Sequence, residues 1–127
     1  MFPRDHDAAI LHLRAEATAP AAARRFVDAV LGDDLGAERQ ADTRLLVSEL
    51  VTNALRHTGT EIELCLVRHG DTVEVGVRDY GGGHPVKKAQ AGEDGGWGLR
   101  LLELITSRWG VETERPGKTV WFHLRLG

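Results

Sequence analysis

A chain of 127 residues suits one domain with a single hydrophobic core, and a hydrophobic content of 42% excludes a disordered chain. The net charge of −3 argues against a broad nucleic-acid or anionic-membrane surface. The single cysteine, Cys65, excludes an internal disulfide framework, and its place inside a strand pattern indicates burial rather than reactivity. Because no apolar run reaches the ~20 residues of a membrane span and the N-terminus lacks a signal-peptide profile, we expect a cytoplasmic protein.

The sequence predicts three helices and five strands in one domain that spans residues 9–127. In chain order the predicted elements are a flexible tail (1–8), a strand (9–15), a helix (Ala19–Leu31), a longer helix (37–57), two strands (61–68 and 72–79), a loop (80–96), a third helix (97–108) and a final strand pair (110–114 and 119–126). Pro20 suits a first helical turn, and Gly59 suits the end of the long helix. His69-Gly70-Asp71 is typical of a hairpin turn, as is Pro116-Gly117.

Hairpin-connected strands favour an antiparallel or mixed sheet. We therefore predict an α+β fold, a two-layer α/β sandwich whose mixed, mostly antiparallel sheet carries the helices on one face. The element order differs from the regular alternation of a dinucleotide-binding fold. Gly117-Lys118-Thr119 is not a phosphate loop, because it lacks the upstream glycine and opens a strand.

Asp79 closes the second strand of the first hairpin and is followed by Tyr80 and three glycines. It shares its parity with Val73, Val75 and Val77, so its carboxylate is predicted to point to the buried face. A buried carboxylate is costly unless it is hydrogen-bonded, and the amino group of a purine ligand would satisfy it. The glycines would let the backbone approach such a ligand. The alternative is a strand-end Asp that caps a glycine-rich turn.

Two further motifs lie on the predicted helices. Glu49 and Asn53 are four residues apart at the edge of the apolar stripe of the long helix, where they border both core and solvent. Gly95-Gly96-Trp97-Gly98-Leu99 opens the third helix, and glycines at a helix start expose backbone N–H groups that bind anions such as phosphates. An ordinary solvated helix face and a flexible linker are the competing interpretations of the two motifs.

The three motifs, in this order, resemble the N, G1 and G2 boxes of the GHKL ATP-binding superfamily. They are Glu-x-x-x-Asn on a helix, Asp-x-Gly-x-Gly after a strand and Gly-x-Gly-Leu at the start of a helix. Two stretches look like the small anti-sigma-factor serine kinase branch of this superfamily, the RsbW-like family. They are Arg44-Leu45-Leu46-Val47-Ser48-Glu49-Leu50-Val51-Thr52-Asn53-Ala54 and Pro116-Gly117-Lys118-Thr119-Val120-Trp121-Phe122. The resemblance covers residues 9–126, nearly the whole chain.

The resemblance implies a role for each matching residue. Asn53 would bind Mg²⁺, Glu49 would be the general base, and Asp79 would accept a hydrogen bond from the adenine amino group. Residues 84–94 would form the ATP lid, and Gly83 would begin it. The nucleotide-binding residues that the resemblance implies are Asn53, His57, Asp79, Gly81, Gly83, Gly96, Trp97, Gly98, Leu99 and Thr119. For His57, capping of the helix end is the competing interpretation.

The implied activity is that of an ATP- and Mg²⁺-dependent protein serine/threonine kinase and anti-sigma factor. It would sequester a sigma factor and phosphorylate a small STAS-type antagonist protein on Ser or Thr, without a nucleic-acid or membrane partner. Members of the family often form homodimers, so a homodimer is an expectation here.

One departure from the family pattern favours a different function. Some family members carry an Arg in or before the G2 box, whereas this chain has no Lys or Arg from Ala89 to Gly98. A transferred phosphoryl group needs charge compensation, so an ATP-dependent protein-binding module without turnover is the second hypothesis. A third hypothesis is a detached histidine-kinase catalytic domain that acts in trans. A fourth is a protein that binds no nucleotide and carries the three boxes by coincidence.

Overall fold

The computed structural model describes residues 8–81 and 96–126, with side chains in the second segment from Arg100 onward. Three helices and five strands lie in this part of the chain. They are β1 (Ala8–Leu13), α1 (Ala19–Leu31), α2 (Ala37–Thr58), β2 (Ile62–His69), β3 (Thr72–Asp79), α3 (Gly96–Ile105), β4 (Arg108–Thr113) and β5 (Lys118–Arg125). The predicted tail over 1–8 falls almost wholly outside the described residues, and the predicted lid over 84–94 lies entirely outside them.

The five strands form one sheet in the order β1-β2-β3-β5-β4. All four neighbouring pairs are antiparallel, so the sheet has no parallel pair among the described strands. β2 and β3 form the predicted hairpin, whose turn contains Gly70 at φ +64°. The last strand in sequence, β5, lies inside the sheet between β3 and β4.

The helices cover one face of the sheet and enclose the core. Alternate residues of β2 and β3 are buried, as the period of a half-covered sheet requires. They pack against the apolar faces of α1 and α2, while Leu102 of α3 and Phe122 of β5 close the far side. The predicted α+β, two-layer architecture with helices on one face is therefore confirmed.

The predicted helix boundaries are close to the observed ones, with one error. α1 has the predicted bounds, and α2 ends at Thr58 with Gly59 as its left-handed C-cap at φ +64°. The third helix ends at Ile105 rather than at 108. The Thr106 hydroxyl folds back onto the carbonyl of Leu102 at 2.6 Å, and Arg108 already pairs with His123 in the sheet.

The first strand also ends earlier than predicted, at Leu13 rather than at 15. Leu13 faces Ile62, the first residue of β2, so no sheet partner remains for the residues that follow. The chain instead turns toward α1, and the N–H of Glu16 bonds to the carbonyl of Arg14 at 2.8 Å. Within the described residues no helix is both long and apolar enough to cross a membrane.

Candidate nucleotide site

Asp79 points into the core side of the sheet, as its parity predicted, and is only 3% exposed. Its Oδ1 accepts a hydrogen bond from the N–H of Gly81 at 3.1 Å. Its Oδ2 accepts one from Nζ of Lys118 at 2.6 Å. The carboxylate thus caps its own glycine turn, which was the competing interpretation, and it also forms a shielded ion pair that the sequence did not predict.

Lys118, rather than Thr119, is the β5 residue beside Asp79. Asp79 and Lys118 are directly opposite each other in the β3–β5 register, so their side chains share the core face. Thr119 pairs with Arg78 on the opposite face, where its hydroxyl bonds to the Glu114 carboxylate. Thr119, which the resemblance places among the nucleotide-binding residues, therefore lies on the face of the sheet opposite Asp79. Lys118 has the same strand parity as Val120 and Phe122, and this signal could have revealed that its side chain lies on the core face beside Asp79.

Two glycines permit close backbone packing around Asp79. A Cβ added to Gly81 would lie 2.6 Å from Cβ of Thr58, the last residue of α2. A Cβ added to Gly117 would lie 2.0 Å from the carbonyl oxygen of Asp79, and Gly117 has φ +92°. The turn before β5 and the end of α2 therefore both contact the residues that follow β3, and neither contact leaves room for a side chain.

Two threonines link the end of α2 to the end of β3. The Thr58 hydroxyl donates to the carbonyl of Ala54 at 2.7 Å and lies 3.1 Å from the Thr60 hydroxyl. The Thr60 hydroxyl in turn accepts from the N–H of Tyr80 at 3.0 Å. These bonds fix the position of the backbone after Asp79 relative to the long helix. Neither threonine was among the predicted site residues.

Glu49 and Asn53 are half-buried on α2, and neither side chain is hydrogen-bonded to another residue in the described ranges. Ser48, at the opposite edge of the apolar stripe, accepts a hydrogen bond from Arg24 of α1 at 2.7 Å. The Glu49/Asn53 edge therefore faces away from α1. Asn53 precedes Thr58 by five residues, or about 7.5 Å along the helix axis. His57 lies exposed in the last turn of α2.

The glycines of the G2 box begin α3, as predicted, because this helix starts at Gly96. α3 packs against α2 and β4, whereas α1 packs against β1, so α3 lies on the Glu49/Asn53 side of α2. Its C-terminal end leads into Arg108, at the end of β4 that is distant from Lys118. Because α3 packs on β4 and is joined to it at this end, we expect the glycine start of α3 to lie toward the Asp79 end of the sheet. Gly98 lies inside this first turn, whereas Gly83 is outside the described residues.

The described residues thus include a buried carboxylate at the end of β3, a Glu/Asn pair on α2 without a hydrogen bond to another described residue, and a glycine-initiated helix before β4. Residues 13–124 of the chain match the sequence pattern of a protein family, the histidine kinase-like ATPase domain. The chain belongs to this family. The resemblance to the GHKL superfamily is thereby confirmed, and membership implies ATP as a ligand.

Two solved structures have a similar fold. A structure of the RsbU and RsbW domains of Rv1364c from Mycobacterium tuberculosis matches with a TM-score of 0.73 at 23% identity, over 94% of this chain and 32% of that chain. The histidine kinase domain of a blue-light activated histidine kinase from Erythrobacter litoralis matches with a TM-score of 0.57 at 24% identity, over 70% of this chain and 45% of that one. The chain therefore spans less than half of each solved chain. No curated protein matches it.

A separate groove lies at the other end of this ATPase domain. It has a volume of about 640 Å³ and lies between the start of α2 and the far ends of β3 and β5. Its lining includes both acidic and basic side chains, among them Glu38, Arg39, Asp42, Arg108, His123 and Arg125. The groove is distant from Asp79 and contains none of the predicted site residues.

Proposed function

We propose that this domain binds ATP–Mg²⁺ at the Asp79 end of the sheet and acts as a protein serine/threonine kinase and anti-sigma regulator. The observation that carries the proposal is the buried Asp79 carboxylate, which lies at the junction of β3, β5 and the end of α2. Family membership supports ATP as the ligand. The order of the three boxes supports the assignment of individual residues.

The residues fit ATP–Mg²⁺ in their chemistry. Asp79 would accept from the adenine amino group, and Gly81 would let the backbone approach the base. Asn53 offers an amide oxygen that no other described side chain occupies, which suits Mg²⁺ with its few protein ligands. Mg²⁺, when bound, supplies charge neutralisation to the phosphates. Gly83, Gly96, Trp97, Gly98, Leu99 and His57 complete the proposed nucleotide site; Thr119 is left out because of its position.

Glu49 is proposed as the general base. Its carboxylate would take the proton of the Ser or Thr hydroxyl as that oxygen bonds to the γ-phosphorus and the bond to the β-phosphate oxygen breaks. ADP and the phosphorylated antagonist would be the products. Glu49 is half-buried one helical turn before Asn53, and among the described residues none forms a hydrogen bond with its side chain; both facts support this role.

The proposed partners are a sigma factor and a small STAS-type antagonist, which the domain would bind in the cytoplasm, as a homodimer. The fold similarity to a structure that contains an RsbW domain supports this choice of partner class. Phosphorylation would release the antagonist and leave the regulator free to sequester the sigma factor.

Phosphoryl transfer from radiolabelled ATP to candidate antagonists tests the catalytic assignment. Replacement of Glu49 by Ala should lower the transfer rate by about 10²- to 10⁴-fold, which is the usual contribution of a general base, and should leave ATP binding intact. Glu38→Ala, an exposed acid in the first turn of the same helix, is the matched control and should keep the wild-type rate. Equal transfer by wild type and Glu49→Ala would refute the role of Glu49.

The second candidate function is an ATP-dependent binding module without turnover. The absence of Lys and Arg from Ala89 to Gly98 favours it, because the transferred phosphoryl group would lack a cation in that segment. Tight ATP binding, ATP-dependent capture of a partner and no label transfer would select this function over the kinase.

A further inference from the structure

The Asp79–Lys118 ion pair is shielded from solvent and lies between two paired strands. The side chains are 4% and 12% exposed, and Nζ lies 2.6 Å from Oδ2. The two residues are 39 apart in sequence but face each other directly in the β3–β5 register. Gly117, packed against the carbonyl of Asp79, fixes the backbone that precedes Lys118.

The pair keeps unused hydrogen-bonding capacity. A carboxylate offers about four acceptor positions, and those of Asp79 receive bonds from Gly81 and Lys118. An ammonium group has three donors, and within the described residues only Asp79 accepts from Lys118. An acceptor and a donor therefore lie side by side, in the corner where the proposed function places the base.

This arrangement matches the pairing edge of adenine. Adenine presents its N6 amino donor beside the N1 acceptor, so Asp79 and Lys118 can bond to both at once. Guanine and hypoxanthine present the O6 acceptor beside an N1–H donor. Against the same pair, an oxygen would face the carboxylate and an N–H would face the ammonium, so both contacts become unfavourable.

We infer that Lys118 is a specificity-determining residue of the nucleotide site, whose ammonium donates to N1 of adenine while Asp79 accepts from N6. The inference rests on the proposed function, because it requires the base to occupy this corner. It assigns to the chain a second base-reading side chain besides Asp79.

The wild-type protein allows a first test without any substitution. Dissociation constants in Mg²⁺ would be measured by calorimetry for ATP, for 1-deaza-ATP, in which a C–H replaces N1, and for ITP, which carries hypoxanthine. Loss of one hydrogen bond from a charged donor should weaken 1-deaza-ATP by roughly 10- to 100-fold relative to ATP. ITP, with both contacts mismatched, should bind more weakly still.

Lys118→Met then tests whether Lys118 is the residue that reads N1. The variant should bind ATP and 1-deaza-ATP with nearly equal affinity, because the N1 contact is already lost. The ratio is measured within one protein, so a general weakening of the site cancels, and circular dichroism checks that the variant is folded. Arg115→Met, which removes an exposed cation from the same turn, should keep the wild-type ratio.

The outcomes separate the two levels of the hypothesis. Equal wild-type affinity for ATP and 1-deaza-ATP, or an unchanged ratio in Lys118→Met, would overturn the inference and leave ATP binding intact. A wild-type protein that binds no ATP would refute the proposed function together with the inference.

Discussion

At the scale of single residues, Asp79 shows how strand parity and distant pairing combine. Parity placed its carboxylate in the interior, and the observed 3% exposure agrees. Its partner Lys118 comes from a strand 39 residues away. The β3–β5 register that brings them together depends on the whole sheet, so local sequence patterns do not contain it.

Removal of one member of the Asp79–Lys118 pair should destabilise the fold, because the remaining charge is left without its partner. Asp79→Asn leaves the ammonium of Lys118 shielded without its counter-charge, and we expect the free energy of unfolding to fall by about 3 kcal/mol. The double variant with Lys118→Met should lose less than the sum of the two single variants, because the removed groups interact. Urea denaturation of the four proteins measures this difference.

Asp71→Asn is the control for the loss of an exposed carboxylate, since Asp71 lies in the β2–β3 turn. It should change the free energy of unfolding by about 0.5 kcal/mol or less. Additive effects of Asp79→Asn and Lys118→Met would contradict an energetic coupling between the two side chains.

At the scale of elements, the site depends on how the ends of α2, β3 and β5 meet. The sequence predicted these elements closely, because apolar periodicity, Pro20 and the glycines at 59 and 70 are local signals. The sequence alone did not reveal the contacts between the elements. The packing of Gly81 on Thr58 and of Gly117 on Asp79 depends on the relative placement of helix and sheet, and a glycine in the sequence does not say what approaches it.

Gly81→Ala should displace the turn after β3 from the end of α2. Its Cβ would lie 2.6 Å from that of Thr58, so the backbone must shift, at a cost of about 1–3 kcal/mol in the free energy of unfolding. ATP affinity should fall as well, because the shifted segment borders Asp79. Denaturation and calorimetry measure the two effects.

Gly36→Ala provides the steric control for that variant. A Cβ added to Gly36 meets nothing within 4 Å, and its φ of −69° is allowed for alanine. Only the N-cap preference for glycine over alanine is lost, so the change in unfolding free energy should stay under about 1 kcal/mol. A Gly81 variant with wild-type stability and affinity would mean that the contact with Thr58 does not constrain the site.

Two adjacent leucines of α2 test which face of the helix stabilises the domain. Leu46 is fully buried, whereas Leu45 is 47% exposed. Leu46→Ala should lower the free energy of unfolding by about 2–5 kcal/mol, because it opens a cavity in the core. Leu45→Ala should cost about 0.5 kcal/mol or less by chemical denaturation. Similar losses in both variants would contradict the helix orientation.

At the scale of the whole molecule, the two faces of the sheet differ in character. The inner face carries the core, whereas no described helix covers the outer face. That outer face bears the Arg78–Glu114 ion pair at 3.0 Å and a hydrogen-bonding contact between His123 and Glu74 at 2.9 Å. Trp121 lies on the same face against Gly110, where an added Cβ would come within 2.6 Å of the indole. The packing of Trp121 on β4 depends on the β4–β5 register, which local sequence patterns do not contain.

Cys65 lies on this outer face and should react slowly with thiol reagents. Burial raises the pKa of its thiol, and the carboxylates of Glu63 and Glu74 raise it further. A raised pKa leaves less thiolate at a given pH, so alkylation by iodoacetamide at pH 8 should be several-fold slower than in the unfolded chain, where the pKa is near 8.5. The rate in the folded protein should increase as the pH approaches the raised pKa.

Mass spectrometry of the alkylated protein, with and without denaturant, measures both rates. The rate in denaturant serves as the reference for a fully accessible thiol. Equal rates in the two conditions at pH 8 would show that the surroundings of Cys65 do not suppress its ionisation.

The position of β5 has a consequence for the order in which the protein can be assembled. During synthesis, β1, β2 and β3 can pair, and α2 can pack on them, before β5 has been made. β4 must wait, because its neighbour in the sheet is β5. Until then the nascent chain exposes one side of β3, an unpaired edge of the kind that recruits chaperones or aggregates. Lys118 also arrives with β5, so the proposed recognition of the base would be incomplete until this strand has been made.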